Sequence, residues 1–200
     1  MADQSREYRM DRRAESQRLT RQRITESAVT LHGTLGPART SMTAVADHAG
    51  VRRSTLYRHF PDEAALFDAC SAHWAASNPP PDLGAWLTVD DPDRRLPVAL
   101  AEMYSFYART EGMLENLLRD APAVPMVAER FAAFRGYFDA AGDALLSGRK
   151  LRAPARRRTR AALGHAIAFS TWRSLAREQG LEEAEAVALM CALVDAATAR

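Results

Sequence analysis

The chain is short of the residues that build stapled or strand-rich proteins. Only two of its 200 residues are cysteine, Cys70 and Cys191, and they stand far apart. No disulfide framework or zinc motif can be assembled from them, and a reducing compartment is the simplest setting. Glycine and proline number ten each. Runs of β-branched residues are few, no strand signal or internal repeat is evident, and an alanine-rich composition favours helix. No window approaches the roughly 18 uninterrupted apolar residues of a membrane span. The opening MADQSREYRMDRR has no apolar centre, so a secretory signal is excluded and a cytoplasmic location is expected. Catalytic signatures are missing too: there is no H-E-x-x-H, no G-x-S-x-G and no glycine loop to cradle phosphate. Cys70 and His73 are one helical turn apart, half of a metal site, but no further ligands can be named. Neither an enzyme nor a bound cofactor or metal is expected.

What is present suffices for a core, with 47% hydrophobic and 26% charged residues. The net charge of +2 hides an uneven distribution: residues 1–60 hold 11 Arg against 6 acids, and residues 61–200 hold 16 Lys and Arg against 19. A basic head on a mildly acidic body suits a protein of which one part meets a polyanion. Apolar periodicity and stop signals predict about nine helices, near 20–32, 42–49, 53–60, 61–77, 93–110, 112–120, 125–147, 154–179 and 182–198. Gly33 is read as stopping the first, Ser41 as capping the second and Gly50 as ending it. The clearest stripe is Val127, Phe131, Phe134, Phe138, Ala141 and Leu145, at steps of four and three. Residues 1–19 read as a basic arm, 20–62 as a small helical domain and 63–200 as a larger one. The fold class is all-α.

One local absence carries most information. From His48 to Pro61 there is no acidic residue, and the segment AGVRRSTLYRHF is crowded with donors. Val45, Ala46 and Ala49 share one helix face, Val51 follows the glycine, and Leu56 and Phe60 lie one turn apart on the next helix. Those residues form an apolar wedge between two sharply crossing helices, a helix–turn–helix. Arg52, Arg53, Ser54, Thr55, Tyr57, Arg58 and His59 are left pointing outward or along the flanks. Such a face suits a DNA major groove, where arginine forks onto guanine and hydroxyls hold phosphates or touch base edges. The N–H groups at Ser41 to Thr43 offer a phosphate site. The bland alternative is a solvated face, but exposed faces ordinarily mix both signs.

The ordered string TSMTAVADHAGVRRSTLYRHFPDEAALF, Thr40 to Phe67, resembles the DNA-binding domain of the TetR family of bacterial transcriptional regulators. The resemblance implies an N-terminal three-helix helix–turn–helix domain and a C-terminal helical domain for ligand binding and dimerisation. It implies a homodimer on a near-palindromic stretch of double-stranded operator DNA. Carried over by position, Thr43, Arg53, Ser54 and Tyr57 would face bases or the adjoining backbone, and Ser41, Thr55 and His59 would contact phosphates. Two residues depart from the family pattern. Arg52 stands where a capping serine is usual, and Glu63 where a phosphate-binding lysine is common, with Arg58 or the arm placed to compensate. Arg21 and Arg23, beside the first helix, are the arm residues assigned to DNA.

The last two helices carry apolar residues around most of their circumference, among them Ala161, Leu163, Ala166, Val187, Leu189, Met190, Leu193 and Val194. Burial on a second side is most economical against a partner subunit, so a homodimer through these helices is expected. Met103, Tyr107, Phe134, Phe138, His165, Phe169 and Trp172 are candidates to line a pocket for a largely apolar or aromatic effector, each with a plain core role as the alternative. GRKLRAPARRRTR, Gly148 to Arg160, bears seven positive charges and no acid, which suits a solvated loop or the rim of an anion site. The expected function is a repressor released from its operator by a small molecule. A constitutive or corepressor-dependent regulator without an inducer pocket, and a helical enzyme or carrier, are the rival readings.

Overall fold

Short-range capping chemistry and a few long-range polar side chains set the helix ends of this chain. The computed structural model describes the backbone of residues 2–199, and the side chains of these except residues 2–9, 131 and 133. Arg6 and Arg9 of the arm and Phe131 of the 125–147 stripe thus lie outside the described side chains. Among the described residues there are ten α-helices and no strand: α1 Ala2–Thr34, α2 Met42–His48, α3 Arg53–His59, α4 Glu63–Ser77, α5 Leu83–Leu87, α6 Pro92–Asp120, α7 Pro125–Leu146, α8 Ala153–Ala166, α9 Phe169–Arg173 and α10 Glu183–Thr198. A 3-10 turn, Pro37–Arg39, precedes α2, and a π-helical turn, Ser174–Glu178, follows α9. No helix among them is long and apolar enough to cross a membrane. The chain divides into two compact units, Met1–Pro79 with Gly112–Ala128, and Pro80–Glu111 with Glu129–Arg200. Position 63, where the sequence reading starts its second domain, lies inside the first unit.

In the first unit, α1 begins at Ala2 and not near Thr20. Nothing in this stretch breaks a helix, its residues are mostly good helix formers, and Arg18 forks onto Glu15 at 2.7 and 2.9 Å. Nor does Gly33 stop it: α1 continues to Thr34. A Cβ on Gly112 would stand 3.3 Å from the Gly33 carbonyl oxygen. The two glycines therefore mark a close helix crossing, and the break expected between 110 and 112 is absent because α6 runs straight through.

The last turns of α6 supply what the C-terminal end of α1 lacks. Asn116 Nδ2 donates to the His32 and Gly33 carbonyls at 3.1 and 2.8 Å. Arg119 donates to the Leu35 carbonyl at 2.8 Å, and Asp120 accepts the Ala38 N–H at 3.0 Å. Orphan helix-end groups are thereby satisfied from a distant part of the chain. Asp120 is buried. Its hydrogen bond from Arg119, then that from Ala38, and the charges of Arg119 and Arg39 hold its carboxyl below the ordinary range. A depressed carboxyl contributes stability that is full above the unfolded-state pKa near 4 and is lost as pH falls through the folded value. His32 is also buried, and burial lowers it to about 4. Its contribution is lost earlier, between about pH 6.5 and 4. Urea unfolding as a function of pH separates the two. The stability gap between wild type and Asp120→Asn is expected to be constant from pH 7 to pH 5 and to close below about pH 4. A gap of the same size at every pH down the acid limb would show that the carboxylate charge does not matter.

In the second unit, the stretch left without a helix between the expected 61–77 and 93–110 contains α5, with the Asp82 side chain capping the Gly84 N–H at 2.8 Å. Buried Trp86 donates Nε1–H to Glu102 at 2.7 Å. Arg95, only 4% exposed, gives its guanidinium entirely to carbonyls: Val89 and Asp90 before it, Ala144 and Ser147 at the end of α7, at 2.7 to 3.3 Å. The helix expected over 154–179 is interrupted at Ile167 and Ala168. Tyr104 donates to the Ala166 carbonyl at 2.9 Å, and Tyr107 to that of Ile167. Burial pushes both phenols well above their ordinary pKa, so they stay neutral donors. Part of the arginine-rich segment is tied down: Arg149 pairs with Asp93 at 2.7 Å, Arg160 with Asp143, and Arg158 donates to the Ala199 carbonyl at 2.7 Å. Thr159, Leu163 and Ala166 of α8, and Ala186, Met190 and Val194 of α10, are buried. The other side of the pair leaves Ala161, Gly164, Ala188 and Ala192 exposed, with Leu189 and Leu193 at 47% and 40%.

Candidate nucleic-acid interface

The helix–turn–helix is built from local rules. Ser41 Oγ accepts the Ala44 N–H at 3.1 Å and starts α2. At the other end Gly50 takes φ +63°, with Gly50 N–H on the Asp47 carbonyl at 3.1 Å and Val51 N–H on that of Ala46 at 3.0 Å. That is a Schellman stop, which needs a residue free to enter the left-handed region. Val45, Ala46, Ala49, Leu56 and Phe60 are all buried, as the wedge requires. Burying Leu56 and Phe60 fully stabilises by about 1.5–3 kcal/mol each. Asp62 caps α4 by accepting the Ala65 N–H at 2.8 Å, so the chain turns sharply out of α3.

With that side committed, Arg52, Arg53, Ser54, Tyr57 and Arg58 are exposed, and Thr55 and His59 are half-buried. Arg52 occupies the N-cap of α3 and makes no side-chain cap bond, so a cap is lost there and a charge gained. The Arg53 guanidinium carbon lies 6.0 Å from the centre of the Tyr57 ring, at the outer limit of a cation–π contact. These two side chains thus lie over the same turn of the helix. Ser41 is exposed but its oxygen is engaged as a cap; Thr43 is half-buried. Glu63 is exposed in the first turn of α4, where an acid suits the helix dipole.

Arg21 and Arg23 are both exposed on α1. Arg21 is engaged with the protein, donating to the His59 carbonyl at 2.6 Å and lying against Phe60. The sequence carried no sign of that link, which spans 38 residues. His59 Nε2 is buried with no hydrogen-bond partner among the described residues. Burial, then the charges of Arg58 and Arg21, lowers its pKa below the ordinary histidine value.

The candidate effector residues divide into groups. Met103, Tyr107, Phe169 and Trp172 are buried, with ring centres 5.3 Å apart for Tyr107–Phe169 and 5.4 Å for Phe169–Trp172. Phe134 and Phe138 are half-buried and meet edge to face at 4.9 Å. Tyr137, which the sequence reading did not single out, touches both and lies 3.6 Å from Met103 Sδ. His165 is exposed, with Nδ1 3.3 Å from Thr171 Oγ1. Cys70 Sγ faces His32 Nδ1 at 3.4 Å and donates to the Phe67 carbonyl. Among the described residues no three or more His, Cys, Asp or Glu side chains gather as a metal site would require.

Comparison with known proteins matches residues 24–70 to bacterial regulatory proteins of the tetR family. No curated protein matches in sequence. Among solved structures, a transcriptional regulator from Rhodococcus sp. Rha1 is similar with TM-score 0.61 and 16% identity, covering 88% of this chain and 94% of its own. A TetR transcription regulator from Haloarcula marismortui gives TM-score 0.59 and 17% identity, over 88% and 97%. The multidrug binding protein EbrR, complexed with imidazole, gives TM-score 0.50 and 22% identity, over 86% and 93%.

Proposed function

We propose, for a chain whose residues 24–70 match bacterial regulatory proteins of the tetR family, that it is a homodimeric repressor released from a near-palindromic operator by a small-molecule effector. The observation that carries this reading is the outward face of α3, where Arg52, Arg53, Ser54, Tyr57 and Arg58 are exposed on a segment without a single carboxylate. Arg53, Ser54 and Tyr57 read base edges; Arg52, Arg58, Thr55, Ser41 and Thr43 hold the flanking backbone. Two copies give two such helices, and a spacing near 34 Å sets them in successive major grooves. The exposed apolar stripe of α8 and α10, with Leu189 and Leu193 at its centre, supports pairing of two subunits through these helices.

An effector of apolar or aromatic character suits the half-buried Phe134 and Phe138 and their neighbour Tyr137. The same fold serves a multidrug binding protein in EbrR, so it is compatible with small-molecule recognition. Release follows if the effector binds one spacing of the two reading helices better than the other.

The test is selection of duplexes from a random-sequence library by the full chain, followed by affinity measurements over a salt series. The expected result is enrichment of an inverted repeat, with log K falling by about 0.9 per phosphate contact for each unit of log salt. Binding that is weak, indifferent to sequence and insensitive to salt would defeat the reading.

A further inference from the structure

The reading helix α3 is only seven residues long and is followed by Phe60 and Pro61. So short a helix has little stability of its own, and the carbonyls of its last turn lack intrahelical donors. One of them, that of Leu56, is taken by the Phe60 N–H at 2.9 Å. Another, that of His59, is taken from outside the motif by Arg21 Nη1 at 2.6 Å. The same guanidinium stands 4.1 Å from the centre of the Phe60 ring, which is fully buried. One side chain of α1 therefore caps the end of α3 and stands over the aromatic anchor that follows it. A cation at a helix C-terminus opposes the negative end of the dipole, and a planar guanidinium on a ring face keeps its orientation while it donates.

We infer that Arg21 is a positioning residue for the reading helix: it fixes the C-terminal end of α3 to α1, and so sets the angle at which Arg53, Ser54 and Tyr57 meet a duplex, instead of neutralising a phosphate. This rests on the duplex-binding reading above. The mechanical link itself exists in the free protein. Arg21 is itself exposed but covers the buried Phe60 ring, so unchanged exchange in α4 is the control that the core survives its replacement. Lysine in its place keeps the charge but loses the planar fork.

The experiment uses the full chain, its Arg21→Ala and Arg21→Lys variants, and the duplex most enriched by the wild type. Amide hydrogen exchange is followed over residues 53–60 without DNA, and duplex affinity is measured between about 50 and 300 mM salt. In Arg21→Ala, exchange at the end of α3 is expected to accelerate by about tenfold or more while α4 is unchanged. Duplex affinity should fall about tenfold with an unchanged salt slope, and preference over a scrambled duplex should narrow. Arg21→Lys should recover less than half of either change on a logarithmic scale. Unchanged exchange overturns the inference. A salt slope reduced by about one, or full recovery by lysine, overturns it in favour of a phosphate contact. Should the wild type enrich no duplex, the DNA reading fails, and the exchange measurement still decides whether Arg21 holds α3.

Discussion

Arg53→Ala is expected to weaken binding of the selected duplex by about 1–3 kcal/mol per half-site, a factor of roughly 5 to 150, and to relax preference at one base pair in each half. Arg53 is the first residue of α3 and is exposed. Its guanidinium lies 6.0 Å from the Tyr57 ring, too far to be held by it. An arginine so placed is free to fork onto a guanine edge. Global stability should change by less than about 0.5 kcal/mol, because the side chain supports no packing. The salt slope should hold, since a base contact releases no condensed counterion. The measurement is a competition assay against duplexes carrying each base at each position. A uniform loss across all of them, with a shallower salt dependence, would reassign Arg53 to the phosphate backbone.

The second large effect concerns stability. Arg95→Met should destabilise the protein by about 3 kcal/mol, within a range of roughly 2–5. The methionine fills similar space, so the loss isolates the polar role. Four carbonyls, from Val89, Asp90, Ala144 and Ser147, lose their donor in a site where Arg95 is 4% exposed. Two of these lie at the C-terminal end of α7, where a cation is favoured by the helix dipole. Relief from burying a charge offsets part of the loss, which is why the figure falls well below a sum over the bonds. Arg95→Lys should recover less than half, because a single ammonium cannot span carbonyls on both sides. Urea unfolding at one fixed protein concentration measures both variants. A loss under about 1 kcal/mol would mean that water replaces the guanidinium at little cost.

Neither arginine could be ranked from the sequence in the same way. Arg53 was legible because its meaning is local: a cap at Ser41, a glycine at position 50 and apolar residues at Leu56 and Phe60 leave it only one side to occupy. Arg95 looked like any charge at the start of a helix. Its partners at Ala144 and Ser147 are 49 and 52 residues away. The same holds for Asn116, which reaches α1 across 84 residues. Helix boundaries divide likewise. The starts of α2 and α4 follow from side chains within three residues, whereas the interruption at Ile167 is associated with phenols of α6 about 60 residues earlier. Gly112, read only as the start of a separate helix, is a contact surface for Gly33.

By itself, then, the sequence determined that the chain is all-helical, and it marked out a short donor-bearing helix behind a glycine stop, because propensity, capping and periodicity act over one or two turns. Only the tertiary structure decided which arginines are spent inside the protein and which stay free. It placed Arg21 on the end of α3 and Arg95 within a ring of carbonyls, because a guanidinium's role depends on which acceptors folding brings within hydrogen-bond reach, and no spacing rule encodes that.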